Sequence, residues 1–207
     1  MHGRFITFEG GEALGKSTQV DRAAAWLRAS GREVVVTREP GGTPRAERLR
    51  ELLLERSAEP MPPACELLLM FAARATHVTN LIEPALARGA WVLCDRFTDA
   101  SHAYQGGGRG MAHAQIDGLA QLAHPSLAPD LTVLLDAPVA LGLARVGARQ
   151  GSADRFEAER QEFFERVRSA YLERARREPG RVRIIDAAGT IDEVEAAVRS
   201  ALAPLLT

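Results

Sequence analysis

The chain has 207 residues, nearly half of them hydrophobic, and a formal net charge of -1 from 26 basic and 27 acidic side chains. That length can bury one substantial core, and the even charge balance offers no basic excess for a polyanion, which argues against a nucleic-acid partner. No run reaches membrane-spanning length and the N-terminus carries no charged segment followed by a long apolar stretch, so the expectation is one cytoplasmic domain over residues 1–207, with no membrane partner.

Arg4 to Glu9 (RFITFE) reads as a short strand, and from Lys16 to Ser30 the apolar residues Val20, Ala23, Ala24 and Leu27 recur at helical spacing. Between them lies Gly10-Gly11-Glu12-Ala13-Leu14-Gly15-Lys16-Ser17, a complete G-x-x-x-x-G-K-[ST] phosphate-binding loop in the strand-loop-helix setting that the motif requires. In that setting the loop amides and the first N–H groups of the helix converge on a β-phosphate, where the helix dipole adds to the attraction. Lys16 would reach the β- and γ-phosphates, and the Ser17 hydroxyl would ligate Mg2+. Lys16 is also the only lysine in the chain, so this position needs a compact ammonium where every other basic residue is arginine.

Further strands are expected at Glu33 to Thr37, Trp91 to Cys94, Leu131 to Leu135 and Val182 to Ile185, runs too continuously apolar for a sheet with a wet face. Helical patterns fill the gaps, at about Pro44 to Glu55, Pro63 to Ala87, Ala112 to Ala123, Val139 to Arg149, Ala158 to Arg177 and Ile191 to Leu206. Strands alternating with helical crossovers predict an α/β fold with a five-stranded parallel sheet covered by helices on both faces. Cys65 and Cys94 lack C-x-x-C spacing and read as buried reduced thiols.

Each strand runs into a charged residue: Glu9, Arg38, Asp95, Asp136 and Asp186. Ligands of open α/β sheets bind at that edge, which predicts that these charges share one crevice with the phosphate loop. Asp95-Arg96 pairs a carboxylate suited to the Mg2+ hydration shell with a guanidinium suited to phosphate. With Arg38 at the end of the second strand, two arginines face a loop that already serves a triphosphate, which predicts a phosphorylated acceptor. On the helix beyond Pro63, Leu67, Met70, Phe71, Arg74 and Val78 share one face, leaving Arg74 as a charge in an apolar stripe that needs a partner.

The phosphate loop, Arg38-Glu39-Pro40-Gly41-Gly42-Thr43, the Phe71/Arg74 helix and Asp95-Arg96-Phe97-x-x-x-Ser101-x-x-Tyr104-Gln105-Gly106 together resemble bacterial thymidylate kinase, essentially end to end. The resemblance implies a P-loop NTPase fold, ATP-dependent phosphorylation of dTMP to dTDP with Mg2+, and a homodimer. It places ATP on Gly10 to Thr18 and the acceptor phosphate on Arg38 and Arg96. Arg74 would meet the thymine edge, with Ser101 touching the base and Gln105 close by. Tyr104 would lie near the sugar and disfavour a 2'-hydroxyl, and Glu12 would lie near the 3'-hydroxyl and the metal.

The chain departs from this family's pattern at two places. Ala13-Leu14 stands where the usual loop has Gly-Ala, and Met70 holds the position where a phenylalanine is common, with Phe71 one residue later. Both neighbour Arg74 on a helix, and Phe71 is the better stacking platform for a base. From Val146 to Phe156, glycines and polar residues break the helical period, which predicts a short mobile lid. The phosphate loop has no arginine of its own between Gly10 and Gly15, so Arg149 and Arg155 are the candidates to meet charge on the transferring phosphoryl group, with Arg145 against adenine. A guanine-reading N-K-x-D segment is excluded because Asn80 is the sole asparagine and Lys16 the sole lysine.

Overall fold

A computed structural model of the protein describes residues 3–55, 57–150 and 157–206, with side chains placed for all of these except 146–150 and 157–160. Strands β1 (Phe5–Gly10), β2 (Val34–Arg38), β3 (Trp91–Asp95), β4 (Leu131–Asp136) and β5 (Val182–Asp186) form one sheet in the order β2-β3-β1-β4-β5. All four pairings are parallel. The connections are α1 (Lys16–Ala29), α2 (Pro44–Leu54), α3 (Pro63–His77), α4 (Glu83–Ala87), α5 (Thr98–Ser101), α6 (His113–Ala123), α7 (Val139–Gln150), α8 (Glu157–Arg177) and α9 (Ile191–Leu202).

The central strand β1 is buried along its whole length, as a strand covered on both faces must be. Its side chains alternate between two layers. Ile6 and Phe8 enter the larger core with Leu27 of α1 and Val194, Val198 and Leu202 of α9, while Phe5 packs with Ile82, Val92 and Phe97 on the other side. Thr7 and Glu9 share the Phe5 face and are fully buried, so their polar groups must be satisfied inside the protein. Thr7 Oγ1 pairs with Thr132 Oγ1 at 2.8 Å, and Thr132 in turn donates to Asp99 Oδ2 at 3.2 Å.

The expected elements are present with ends shifted by a residue or so, except that α9 ends at Leu202 and a 3-10 turn, Ala203–Leu205, follows where the helix was expected to reach Leu206. Two features extend the sequence reading. The helical run from Pro63 to Ala87 is interrupted by a π-helical turn at Val78–Ile82, and a second π-helical stretch, His102–Gly108, carries the Tyr104-Gln105 segment. Thr43 caps α2 ahead of Pro44, and Thr190 with Glu193 forms a reciprocal capping box on α9. Cys94 is buried as expected, but Cys65 is exposed, because it lies in the first turn of α3 on the side away from Leu67 and Phe71. Among the described residues, no helix is long and apolar enough to cross a membrane.

Candidate active site

The phosphate loop bridges β1 and α1 at the C-terminal edge of the sheet. Its first glycine, Gly10, has φ 132°, and a Cβ there would meet the Leu135 carbonyl oxygen at 2.2 Å, so only glycine fits between β1 and β4. Ala13 has φ 54°, a left-handed conformation that costs a non-glycine residue about 1 kcal/mol or more. Lys16 is buried and folds back to donate to the carbonyls of Gly10, at 3.2 Å, and Gly11, at 2.6 Å. Burial and then Arg96 push its ammonium down to about 8, against the opposing pull of Asp95, Glu12 and Glu9. Ser17 donates to Asp95 Oδ2 at 2.9 Å, bringing the two expected metal-binding groups into one place. Gly15, Ser17 and Thr18 line the same cavity above the loop, and Arg145 lies half-buried on α7.

A second cleft of about 530 Å3 opens beside this loop, between α2, α3 and the Asp95-to-Arg109 segment. Its walls bring together Glu12, Ser17, Arg38, Arg74, Asp95, Arg96, Ser101, Tyr104 and Gln105, so nine of the expected site residues are neighbours in space. Arg96 lies at the junction and lines both cavities. Its backbone has φ 71°, a strained conformation of the kind that persists where the surroundings enforce it. Its guanidinium donates through Nη1 to the Gly10 carbonyl (3.0 Å) and the Tyr171 hydroxyl (3.2 Å), and through Nη2 to Glu12 Oε1 and the Tyr104 hydroxyl (both 2.9 Å). Tyr104 also donates to Glu12 Oε1 at 2.8 Å and puts its ring under Arg96, 4.7 Å from the guanidinium carbon. Against the raising effect of burial, Arg96, Lys16 and the Tyr104 hydroxyl hold the Glu12 carboxyl below its ordinary value.

Arg74 has the partner its apolar surroundings demand. Its Nε donates to Glu39 Oε2 at 2.6 Å, Nη1 to Ser101 Oγ and Nη2 to the Phe97 carbonyl, both at 3.1 Å. The other Glu39 oxygen lies 2.9 Å from His77 Nδ1, and His77 Nε2 lies 2.7 Å from Thr37 Oγ1. Gly42 closes over this chain with φ 87°, and a Cβ there would fall 2.4 Å from His77 Nε2. Phe71 is not in the cleft. Its ring is buried with Leu67 and Ile116, with the Arg74 guanidinium 4.5 Å from it, and Met70 is the side chain that lines the cleft.

Several site residues escaped the sequence reading. Arg50 lines the cleft and donates to the Pro40 carbonyl at 2.8 Å; burial and then Arg38 lower its pKa. Glu66 receives Gln105 Nε2 at 2.8 Å and Arg109 Nε at 2.9 Å, fixing the amide in the wall. Helical spacing on α2 and α3 held the signal for both, since each lies on the cleft side of its helix. The five strand-end charges do not share one crevice. Arg38 and Asp95 are in the cleft, but Glu9 is fully buried beneath it, Asp136 is engaged by both Nε and Nη2 of Arg168, and Asp186 accepts the Ala188 N–H. Arg155 and the side chain of Arg149 lie outside the described residues, as does most of the expected lid, while the α7 backbone stays helical through Gln150.

A phosphate loop at the C-terminal edge of a parallel sheet, joined by one arginine to an arginine-lined second cleft, defines a P-loop phosphotransferase that takes a second anionic substrate. The family model described as thymidylate kinase matches residues 8–198, and the chain belongs to that family. It is 58% identical over 206 residues to a thymidylate kinase of Pseudomonas syringae pv. syringae, covering 100% of this chain and 98% of the relative. A thymidylate kinase of Chromohalobacter salexigens is 56% identical over 201 residues, covering 97% and 95%. The crystal structure of thymidylate kinase from Ehrlichia chaffeensis superposes with a TM-score of 0.80 at 33% identity, covering 98% of this chain and 99% of that one.

Proposed function

We propose that the two cavities joined at Arg96 hold the two substrates of one phosphoryl transfer, ATP over the phosphate loop and dTMP in the arginine-lined cleft. Family membership carries the activity, ATP-dependent phosphorylation of dTMP to dTDP. The observation that supports this placement is Arg96, which lines both cavities.

In this reading Arg96, Arg38 and Arg50 hold the acceptor phosphate, and Arg74 and Ser101 meet the polar edge of thymine with Met70 against its face. Tyr104 lies against the sugar, and Glu12 receives the 3'-hydroxyl. An oxygen of the dTMP phosphate attacks the γ-phosphorus of ATP in line, and the bond to the β–γ bridging oxygen breaks, leaving that oxygen's charge on ADP. A phosphate monoester is a competent nucleophile near neutral pH, so no side chain has to remove a proton. Lys16 and the loop amides stabilise charge on the β- and γ-phosphates. Ser17 and Asp95, already 2.9 Å apart, offer the hard oxygen donors that suit Mg2+, which when bound would neutralise triphosphate charge. Arg149 and Arg155 are proposed to meet charge on the transferring group, and Arg145 to lie against adenine.

The two free thiols suit a reducing cytoplasm. Leu68 and Leu122, 58% and 81% exposed on the packed helices α3 and α6, support a homodimer through that face; light scattering that returns a monomer would remove it. The placement of substrates is tested by a coupled ADP-release assay offering dTMP, dUMP, UMP, CMP, AMP and GMP in turn. Preference for dTMP is expected. Equal turnover of all six would show that the cleft does not read the base.

A further inference from the structure

Glu9 is fully buried at the end of β1, yet no step of phosphoryl transfer uses it. Both of its oxygens are engaged, and both engagements lead to Arg96. Oε1 accepts the Phe97 backbone N–H at 2.7 Å, and Oε2 accepts the Tyr171 hydroxyl at 2.7 Å. Tyr171 reaches in from α8 and is itself buried, and its oxygen accepts Arg96 Nη1 at 3.2 Å.

The two peptide groups flanking the Arg96 Cα are therefore pinned by consecutive residues of β1. The Arg96 N–H donates to the Phe8 carbonyl at 2.9 Å, and the Phe97 N–H donates to the Glu9 side chain. Those peptide planes set φ and ψ of the residue between them, which is why a non-glycine residue stays at φ 71° here. The guanidinium is held at its inner edge, Nη1, by the Gly10 carbonyl and the Tyr171 hydroxyl, while Nη2 faces Glu12 and Tyr104 at the cleft. One carboxyl group thus holds both the backbone and, through a tyrosine, the head group of the same arginine.

We infer that Glu9 and Tyr171 are positioning residues that fix Arg96 for the acceptor phosphate, linking α8 to the dTMP side of the site. Burial and the neighbouring Asp99 push the Glu9 carboxyl up to about 8, with Arg96, Tyr171 and Phe97 pulling it down, so an acid is kept inside the sheet that an apolar residue would fill with less strain on charge. The Phe97 N–H and the Tyr171 hydroxyl converge on this buried carboxyl group and account for its place there. The inference rests on Arg96 binding the acceptor phosphate.

The test measures KM for dTMP and for ATP, with thermal melting, in the full chain and in Tyr171→Phe, Glu9→Gln, the double variant and Arg96→Gln. Tyr171→Phe keeps the ring and removes one hydroxyl, so KM for dTMP should rise roughly tenfold while KM for ATP moves less than about twofold. Glu9→Gln keeps the size but offers one acceptor oxygen to two donors, so either the Phe97 N–H or the Tyr171 hydroxyl loses its acceptor. It should give a similar rise, and the double variant no more than either single one, because the three groups act as one chain. Equal rises in both KM values, additive effects, or an unchanged KM for dTMP in Tyr171→Phe would overturn the inference. Arg96→Gln separates the two levels: if it leaves KM for dTMP unchanged, the reading of the cleft itself fails. If only Arg96→Gln raises it, the cleft stands and the positioning role falls.

Discussion

Glu39 and Arg74 form an ion pair at 2.6 Å in which both side chains are more than nine-tenths buried. Burial alone would raise the Glu39 carboxyl, but Arg74 and His77 more than offset it and hold it below its ordinary value. The pair places the only charged group of the α3 apolar stripe at the cleft wall, where its remaining N–H groups meet Ser101 and the Phe97 carbonyl. Removing one partner leaves an uncompensated buried charge. Glu39→Ala is therefore expected to destabilise the protein by about 3 to 5 kcal/mol, read from denaturant unfolding, and to raise KM for dTMP in the fraction that folds. A loss below about 1 kcal/mol would show that Arg74 finds another partner.

The division of labour between Met70 and Phe71 can be separated by where each loss appears. Phe71 is 3% exposed in the core beside Ile116, so Phe71→Ala should cost roughly 3 to 5 kcal/mol of stability. Met70 lines the cleft, so Met70→Ala should leave the melting temperature within a few degrees and raise KM for dTMP several-fold, on the order of the 1 kcal/mol that a face contact to a base supplies. The opposite pattern would return the base to Phe71.

At Ala13 the left-handed backbone is strained for any side chain, and glycine would relieve it. Ala13→Gly is expected to lower KM for ATP modestly, measured at saturating dTMP. An unchanged or higher value would mean that the added freedom of the unliganded loop cancels the relief.

His102 links acid stability to the wall of the site. It is buried, with Nδ1 3.0 Å from His113 Nδ1 and Nε2 3.2 Å from Asp117, and burial followed by Arg174 pushes its pKa down to about 4. The folded state then binds this proton more weakly than the unfolded state, so stability falls as pH drops from about 6.5 through about 4, by roughly 3 kcal/mol. His102→Gln should flatten that part of the stability curve in urea unfolding at stepped pH. An unchanged slope would assign the acid loss to other groups.

For the phosphoryl group in flight, Arg149→Ala or Arg155→Ala should reduce kcat by tenfold or more, roughly the scale of a donor made only in the transition state, and change dTMP affinity far less. A double variant with normal turnover would take both arginines out of the reaction.

The strand-loop-helix start of the chain was legible because an eight-residue motif, a strand and a helix all point one way. The order of the sheet was not, since pairing of β1 with β3 and β4 depends on crossovers that leave no local trace. Arg74 advertised its need for a partner, but Glu39 is 35 residues away and is delivered only by the end of β2. Glu9 read as a strand-end charge at the ligand edge; the strand's twofold alternation instead turns it inward with Thr7. The π-helical stretch His102–Gly108 was invisible as structure because its glycines suggest a loop, although Gly108 sits where a Cβ would strike Phe163 at 2.5 Å.

That the chain carries a single lysine has a practical corollary. Its ε-amine, poised to lose a proton near 8, is the one side-chain amine in the molecule, so a stable amide or urea formed on a side-chain amine can lie at one position alone. Shielding of that amine by added nucleotide would report occupancy of the triphosphate pocket directly, by mass, without any turnover.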